Sequence, residues 1–282
     1  LPGGVVNTFV SSRSAETSAA VIADQRLRKL TFTGSTSVGR GLLCQAADNV
    51  LRCSMELGGN APFIVLEGAD VEQAVQGALV AKMRNNGEAC TAANRFFLHE
   101  SLADDVVARL DEAFDDWPVG PGTEPATRLG ALIDQQAVAR IVDLVTDATA
   151  AGATLVRGGQ ALEGPGAFLP PTILTEVPTR ARIATEEIFG PVVAVQTFSD
   201  VDDVVARAND TDFGLMAYVF GEEGAALRVA SRLDYAMVGV NTGLASDPAA
   251  PFGGVKHSGL GREGSFEGIT EYLETRYYAL PG

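Results

Sequence analysis

The chain has 282 residues, of which 46% are hydrophobic, so it can bury one large core or two ordinary ones. It carries 21 Lys and Arg residues against 36 Asp and Glu residues, a net charge of −15. This balance excludes a general positive field of the kind that attracts nucleic-acid phosphates or anionic lipids. The best apolar run, residues 61–66, falls far short of the roughly 18–20 residues that cross a bilayer, so we expect no membrane partner.

The cysteines exclude two further classes of protein. Cys44, Cys53 and Cys90 are odd in number and have no CxxC spacing, and the two histidines lie far from them in sequence. A disulfide framework and a zinc site are therefore not predicted, and we assign no metal ligands. Without a signal-peptide pattern we expect a cytoplasmic protein, and because Leu1 is not a Met we expect the natural chain to begin upstream.

In chain order, the first clear feature is a strand at residues 29–33, a glycine turn at 34–39, and a helix with an apolar face. This order presents a helix N-terminus to a phosphate group, although the turn can equally be an ordinary one. Further strands are predicted at 51–57, 61–66, 95–98, 154–157, 192–198, 215–220 and 237–240. Helices are predicted from 70 to the Asn-rich stop at 84–87, and at 102–114, 134–151, 200–208 and 223–233. Alternating strands and helices indicate an α/β fold with mostly parallel sheets.

Two residues suggest chemistry on their own. Cys90 follows a helix end in a glycine-containing loop, which exposes its thiol to a substrate, whereas Cys44 and Cys53 have the pattern of small core residues. Glu56 lies in an apolar strand run, where burial raises a carboxyl pKa towards the range of a general base. A structural thiol at Cys90 and an Arg-paired carboxylate at Glu56 remain open alternatives.

Five ordered motifs over essentially the whole chain resemble the aldehyde dehydrogenase superfamily. They lie at residues 56–62, at 85–90 followed by Arg95, at 186–191, at 209–215, and at 251–256 with 258–263. Within the superfamily, residues 32–36, 57–63, 84–85, 241–243 and 261–265 are similar to the succinate-semialdehyde dehydrogenases.

The resemblance implies the following roles. Cys90 attacks the aldehyde carbon, its backbone N–H holds the oxyanion in part, and Glu56 activates the water that hydrolyses the thioester. The implied cofactor is NADP or NAD, and the implied cofactor-binding residues are Gly34, Ser35, Leu57, Glu187 and Phe189.

For a substrate with a distant carboxylate, the resemblance implies Arg84 and Ser246 as its binding residues. A guanidinium matches a carboxylate bidentately, and a dedicated cation matters more in a protein of this charge. Three of these residues also have ordinary explanations: Arg84 as a helix C-terminal cation, Ser246 as a solvated loop residue, and Phe189 as a packing residue.

The sequence departs from the family pattern in three places. Glu88 replaces the usual Gln, and it raises the Cys90 pKa if it faces that thiol but matters little if it faces solvent. Ala92 replaces a second cysteine found in some relatives, so we expect no redox switch there. The family's chains also begin well upstream of Leu1, and the residues that would distinguish NAD from NADP precede it.

The implied fold is an aldehyde dehydrogenase-like α/β structure. Residues 1–58 and 258–271 would belong to a Rossmann-type dinucleotide-binding domain, residues 59–257 to an α/β catalytic domain, and 272–282 to an oligomerisation strand of a homo-oligomer. The function we predict is oxidation of succinate semialdehyde, or a close ω-carboxy aldehyde, to the acid. The alternatives are another aldehyde substrate, a catalytically silent fragment or binding module, and cofactor-independent ester hydrolysis by Cys90 and Glu56.

Overall fold

A computed structural model describes all 282 residues and shows helices packed on two main β-sheets. The helices are α1 Ser14–Ile22, α2 Thr36–Ala47, α3 Val71–Met83, α4 Ala103–Phe114, α5 Gln135–Ala150, α6 Arg182–Thr185, α7 Val201–Asn209, α8 Glu223–Ala230 and α9 Ser265–Thr270, with a 3₁₀ turn at Arg84–Gly87. The strands are β1 Lys29–Thr33, β2 Arg52–Glu56, β3 Ala61–Val65, β4 Ala93–His99, β5 Thr154–Arg157, β6 Thr172–Thr175, β7 Val192–Phe198, β8 Phe213–Gly214, β9 Met216–Phe220, β10 Met237–Val240, β11 Val255–Lys256 and β12 Gly259–Leu260.

The larger sheet has seven strands in the order β10-β9-β3-β4-β7-β6-β5. Every pairing in it is parallel except that of the edge strand β5 with β6. Its central strands β3 and β9 are buried at every position, as expected for strands covered by helices on both faces. The predicted α/β class with mostly parallel sheets is confirmed.

The smaller sheet pairs β1 with β2 in parallel and β2 with β12 in antiparallel orientation. Helix α2 packs on this sheet, and residues 57–60 lead directly from β2 into β3 of the larger sheet. Strands β8 and β11 form a separate antiparallel pair. The two sheets thus meet at the segment that follows Glu56.

Side-chain caps explain where four helices begin. Ser35, Asp70, Asp134 and Asp200 each accept a hydrogen bond from the backbone N–H three residues further on. Such caps satisfy a donor that has no partner inside the helix and contribute about 0.5–2 kcal/mol each.

The core of the larger sheet is centred on Phe63 of β3. Its ring centroid lies 5.0 Å from that of Phe96, 6.0 Å from that of Tyr218 and 4.7 Å from that of Phe220. All four side chains are almost fully buried. This aromatic cluster joins β3 to both neighbouring strands.

The structure differs from the sequence predictions at a few elements. Strand β6 was not predicted, because it directly follows Pro170 and Pro171, which are typical of a loop. The predicted helix at 223–233 ends at Ala230, where Ser231 caps it in helical geometry. Residues 272–282 pair with no strand of this chain, so the oligomerisation strand and the domain boundaries stay predictions. None of the helices combines the length and the apolar character needed to cross a membrane.

We expect Phe63→Ala to lower the free energy of unfolding by about 3–5 kcal/mol, because it opens a cavity in the aromatic cluster. Urea denaturation followed by circular dichroism measures the change. Phe266→Ala is the matched control, because that ring is 87% exposed and its removal should change stability by at most about 0.5 kcal/mol. Equal losses in the two variants would contradict the assigned core.

Candidate active site

The edges of the two sheets bring Glu56 and Cys90 together. Strands β1 and β2 are parallel and in register at Thr33 and Glu56, so the residues that follow them lie at one edge of the smaller sheet. Strands β3 and β4 are parallel and in register at Ala61 and Ala93, so the residues that precede them also lie side by side. A cavity forms between these two edges.

The cavity has a volume of about 780 Å³. All nine residues predicted from the sequence line it, namely Gly34, Ser35, Glu56, Leu57, Arg84, Cys90, Glu187, Phe189 and Ser246. Its wall also contains Thr33, Gly58, Glu88, Ala89, Thr91, Arg140 and Phe252. Residues up to 219 positions apart in sequence therefore share one site, from Thr33 to Phe252 (252 − 33 = 219). Neither the cavity nor any other part of the structure contains a cluster of three or more His, Cys, Asp or Glu side chains that could hold a metal ion.

The loop that carries Cys90 begins where α3 ends. Asn85 and Asn86 have left-handed backbone angles (φ 52° and 57°), which Asn tolerates better than most residues and which stop the helix. The Asn85 side chain donates a 2.7 Å hydrogen bond to the carbonyl of Glu88, which closes the turn. Across the cavity floor, a Cβ on Gly59 would collide with the backbone carbonyl oxygen of Cys90, so only glycine allows this approach.

The surroundings of Cys90 keep its thiol protonated. Burial raises its pKa, and the Glu187 and Glu56 carboxylates raise it further because they repel a thiolate. The backbone N–H groups of Cys90 and Thr91 act in the opposite direction by stabilising the anion. A base or a rise in pH must therefore remove the proton before the sulfur becomes a strong nucleophile.

Glu56 is buried, with 4% of its surface exposed, and neither carboxylate oxygen has a hydrogen-bond partner. Burial raises its pKa to about 8, the nearby charge of Glu263 adds to this shift, and the charge of Arg262 opposes it. Arg262 donates its hydrogen bonds to the Gly254 and Gly261 carbonyls and forms no ion pair with Glu56. The structure therefore leaves Glu56 free to take and return a proton near neutral pH.

Glu187 projects into the cavity from the segment after α6. Its Oε1 accepts a 2.8 Å hydrogen bond from the Gly59 N–H, while Oε2 has no hydrogen-bond partner. Burial raises its pKa, and the Gly59 N–H, Arg140 and Lys82 lower it. Lys82 is fully buried and donates a 3.0 Å hydrogen bond to Asn94 Oδ1, and burial lowers its own pKa to about 7.

Arg140 holds the same segment from α5. It donates hydrogen bonds of 2.9 Å to the Glu187 carbonyl and 2.6 Å to the Ile188 carbonyl. Phe189 comes next, has a left-handed backbone (φ 53°), and lines the cavity. Sequence reasoning missed Arg140, because a helical pattern does not show which distant loop an exposed arginine will reach.

The glycine turn at α2 forms another part of the wall. Ser35 caps the helix, its Oγ accepting from the Val38 N–H at 3.4 Å, and Gly34 and Ser35 both line the cavity. Leu57 is 4% exposed and lies against Gly39 of α2, where a Cβ would collide with it. A helix N-terminus, a free carboxylate oxygen and an apolar wall fit the phosphate, ribose and ring of a dinucleotide cofactor.

Arg84 and Ser246 also line the cavity. The Arg84 side chain is exposed, has no ion-pair partner, and makes one long hydrogen bond of 3.5 Å to Thr91 Oγ1. It also caps the C-terminus of α3, so the dipole explanation stays open beside the substrate one. Glu88, the unusual acid, accepts a 3.0 Å hydrogen bond from the Ile133 N–H and is not among the charges that raise the Cys90 pKa.

Residues 1–278 match the aldehyde dehydrogenase family. The chain belongs to this family. It is 50% identical over 281 residues to a succinate-semialdehyde dehydrogenase of Paenarthrobacter nicotinovorans, a match that covers 99% of this chain and 62% of that protein. It is 45% identical over 283 residues to a glutarate-semialdehyde dehydrogenase of Pseudomonas aeruginosa, covering 100% of this chain and 58% of that protein.

The fold agrees with solved structures of the family. The crystal structure of succinate-semialdehyde dehydrogenase from Burkholderia pseudomallei superposes with a TM-score of 0.94 at 45% identity, covering 96% of this chain and 56% of that one. The aldehyde dehydrogenase-like fold is therefore confirmed. The chain spans about three fifths of the length of these curated relatives.

We expect Glu56→Gln to shift the pH dependence of Cys90 alkylation by iodoacetamide towards lower pH. Above about pH 8 the native carboxylate is ionised and repels the thiolate, and the neutral amide does not, so the Cys90 pKa should fall in the variant. Mass spectrometry of the Cys90 peptide measures the rates. Glu16→Gln on the exposed helix α1 is the control, and identical profiles for all three proteins would contradict the assigned electrostatic contact.

Proposed function

We propose that this chain carries the catalytic chemistry of an aldehyde dehydrogenase and oxidises succinate semialdehyde, or a close ω-carboxy aldehyde, with NAD or NADP. The observation that supports it best is that a thiol, an unpaired carboxyl group of raised pKa and a guanidinium without an ion-pair partner line one cavity. The similarity to succinate- and glutarate-semialdehyde dehydrogenases supports the substrate class.

Cys90 is the proposed nucleophile. Its sulfur adds to the aldehyde carbon, the carbonyl oxygen takes the negative charge, and the Cys90 backbone N–H stabilises that oxyanion. The raised thiol pKa means that the addition begins with loss of the thiol proton, for which Glu56 is a base on the same cavity wall. Ester formation by a serine would be far slower, because its hydroxyl is a much weaker nucleophile near neutral pH.

A bound nicotinamide cofactor supplies the acceptor for the hydride that leaves the substrate carbon. Gly34 and Ser35 at the start of α2 would bind its phosphates, Glu187 a ribose hydroxyl, and Leu57 and Phe189 its ring. The free Oε2 of Glu187 suits a hydroxyl donor, because Oε1 is already occupied by Gly59.

Glu56 is the proposed base for product release. It takes a proton from water, and the resulting hydroxide attacks the acyl carbon. The C–S bond breaks, Glu56 returns the proton to the sulfur, and the carboxylic acid leaves with the thiol restored. A pKa of about 8 suits this role, since the group is ionised in part at neutral pH and strong enough to accept the proton. Burial without hydrogen-bond partners keeps both oxygens available to that water.

Arg84 and Ser246 are the proposed partners of the substrate carboxylate. Arg84 has no acidic side chain within 4.0 Å, so its planar guanidinium can donate two hydrogen bonds to one carboxylate.

We also propose that the protein is cytoplasmic and homo-oligomeric. The three free cysteines support the cytoplasmic location. The exposed side chains of Tyr277, Tyr278 and Leu280 in the C-terminal segment support an interface with another copy of the chain.

We expect Cys90→Ser to abolish aldehyde oxidation, measured by the absorbance of the reduced cofactor at saturating NAD and, separately, NADP. Cys44 was predicted to be a core residue, but it is exposed, because only Gly39 and Ala46 of α2 are buried. Cys44→Ser is therefore the matched control, since its thiol lies outside the cavity. If the native chain binds cofactor by fluorescence titration without oxidising any aldehyde, the alternative of a silent binding module replaces the proposal. Hydrolysis of an activated ester that depends on Cys90 without oxidation would favour the esterase alternative.

We expect Arg84→Gln to lower kcat/KM for succinate semialdehyde by about 10- to 100-fold, the value of a lost charge-assisted hydrogen-bond pair. The same variant should retain its kcat/KM for propanal, which has no carboxylate. Arg228→Gln on the exposed face of α8 changes the net charge equally and should affect neither substrate. Equal losses for the charged and the neutral aldehyde would exclude the carboxylate role.

A further inference from the structure

A second, smaller groove lies directly beside the active-site cavity. It has a volume of about 450 Å³, and its wall includes Arg84, Trp117 and Arg128. Arg84 also lines the cavity that contains Cys90, so one guanidinium belongs to both spaces. A ligand in this groove is therefore adjacent to the proposed substrate site.

Both arginines of the groove are free of acidic partners. Of the 21 Lys and Arg residues, nine have a carboxylate within 4.0 Å, and Arg84 and Arg128 are among the 12 that have none (21 − 9 = 12). The Arg128 guanidinium makes no hydrogen bond and lies 6.0 Å from the ring centroid of Trp117, a distance at the outer limit of a cation–π contact. One acid, Asp116, also lines the groove, which leaves two cations against one anion.

The backbone holds Arg128 in place. The N–H groups of Arg128 and Leu129 both donate to the Pro118 carbonyl, at 3.0 and 3.2 Å, which keeps Arg128 next to Trp117. The Asn86 side chain then joins this loop to the loop that carries Cys90, because it accepts from the Gly130 N–H at 3.0 Å and donates to the Ala131 carbonyl at 3.1 Å. The positions of Arg84 and Arg128 are thus coupled through one asparagine.

The negative charge of the whole chain makes the local cations Arg84 and Arg128 important for binding an anion. At a net charge of −15 the protein repels an anionic substrate, and ions screen that repulsion only beyond about 8 Å at physiological ionic strength. Local cations at the rim of a cavity raise the concentration and the association rate of an anion there.

We propose that the groove is a capture site for the carboxylate of an anionic aldehyde, in which Arg128 binds the carboxylate first and Arg84 receives it as the aldehyde reaches Cys90. The inference takes its substrate class from the proposed function, and it assigns Arg128 as a specificity-determining residue. Because Arg128 lies at the rim, its contribution falls on association and KM, while the chemical step is unchanged.

The test compares two reagents of the same shape and different charge. Iodoacetate and iodoacetamide both alkylate Cys90, the sulfur bonding to the methylene carbon as iodide leaves, but only iodoacetate carries a carboxylate. We expect Arg128→Gln to lower the ratio of the iodoacetate rate to the iodoacetamide rate at Cys90 by about three- to tenfold. Arg128→Lys should retain most of the native ratio, because it retains the charge.

Arg228→Gln provides the matched control, since it removes one positive charge from a surface that lines neither the groove nor the cavity. Added salt should narrow the difference between the native ratio and that of Arg128→Gln, because it screens the charge of Arg128. Equal ratios in Arg128→Gln and Arg228→Gln would overturn the proposal. It would also be overturned if Arg128→Gln lowered the iodoacetamide rate as much as the iodoacetate rate.

Steady-state kinetics give the second measurement. Arg128→Gln should raise KM for succinate semialdehyde about three- to tenfold, with kcat for that substrate and both constants for propanal unchanged. A fall in kcat, or an equal effect on propanal, would contradict a capture role. If the native chain oxidises no aldehyde, the alkylation ratio still tests whether Arg128 attracts an anion towards Cys90. Failure of the proposed function and failure of this inference are therefore distinguishable.

Discussion

The site depends on the close contact between the backbones of Gly59 and Cys90. The two residues precede neighbouring parallel strands that are in register at Ala61 and Ala93, so the hydrogen bonds of the sheet set their separation. Glu56 is three residues from Gly59 and ends a strand of the other sheet, which directs its carboxyl group into the same space. The relative positions of thiol and carboxyl therefore follow from backbone pairing in rigid elements, and a side chain at position 59 would separate them.

The sequence predicts much of this arrangement because its signals are local. Long apolar runs such as Val192–Phe198 and the Asn-rich stop after α3 specify elements without help from distant residues, and both are confirmed. Arg140 and Arg128 could not be placed in this way, because each reaches the site through tertiary contacts of a helix or a loop. The orientation of Glu88 was likewise undecided, since it depends on the Ile133 N–H, which lies 45 residues away. Strand β6 escaped detection because it directly follows Pro170 and Pro171, which are typical of a loop.

The electrostatics of the cavity differ from those of the chain as a whole. Burial raises the pKa values of Cys90, Glu56 and Glu187 together, so it opposes a negative charge on each group in a protein of net charge −15. The charges of Lys82 and Arg140 oppose this shift at Glu187, whose pKa they lower. Neutral groups cost less to bury than charged ones, which explains how three acids coexist in one small site.

The protonated state of Cys90 also governs its exposure to oxidants. Peroxides attack the thiolate, so a thiol whose pKa is raised by burial reacts with them slowly while the site is empty of substrate. A sulfenic acid at Cys90 forms an intrachain disulfide only if a second cysteine lies nearby, and position 92 in the same loop is the buried Ala92. Cys44 and Cys53 belong to α2 and β2, and all three cysteines are free. Oxidation of Cys90 should therefore be slow to begin, and its reversal depends on a thiol from solution instead of a neighbouring cysteine.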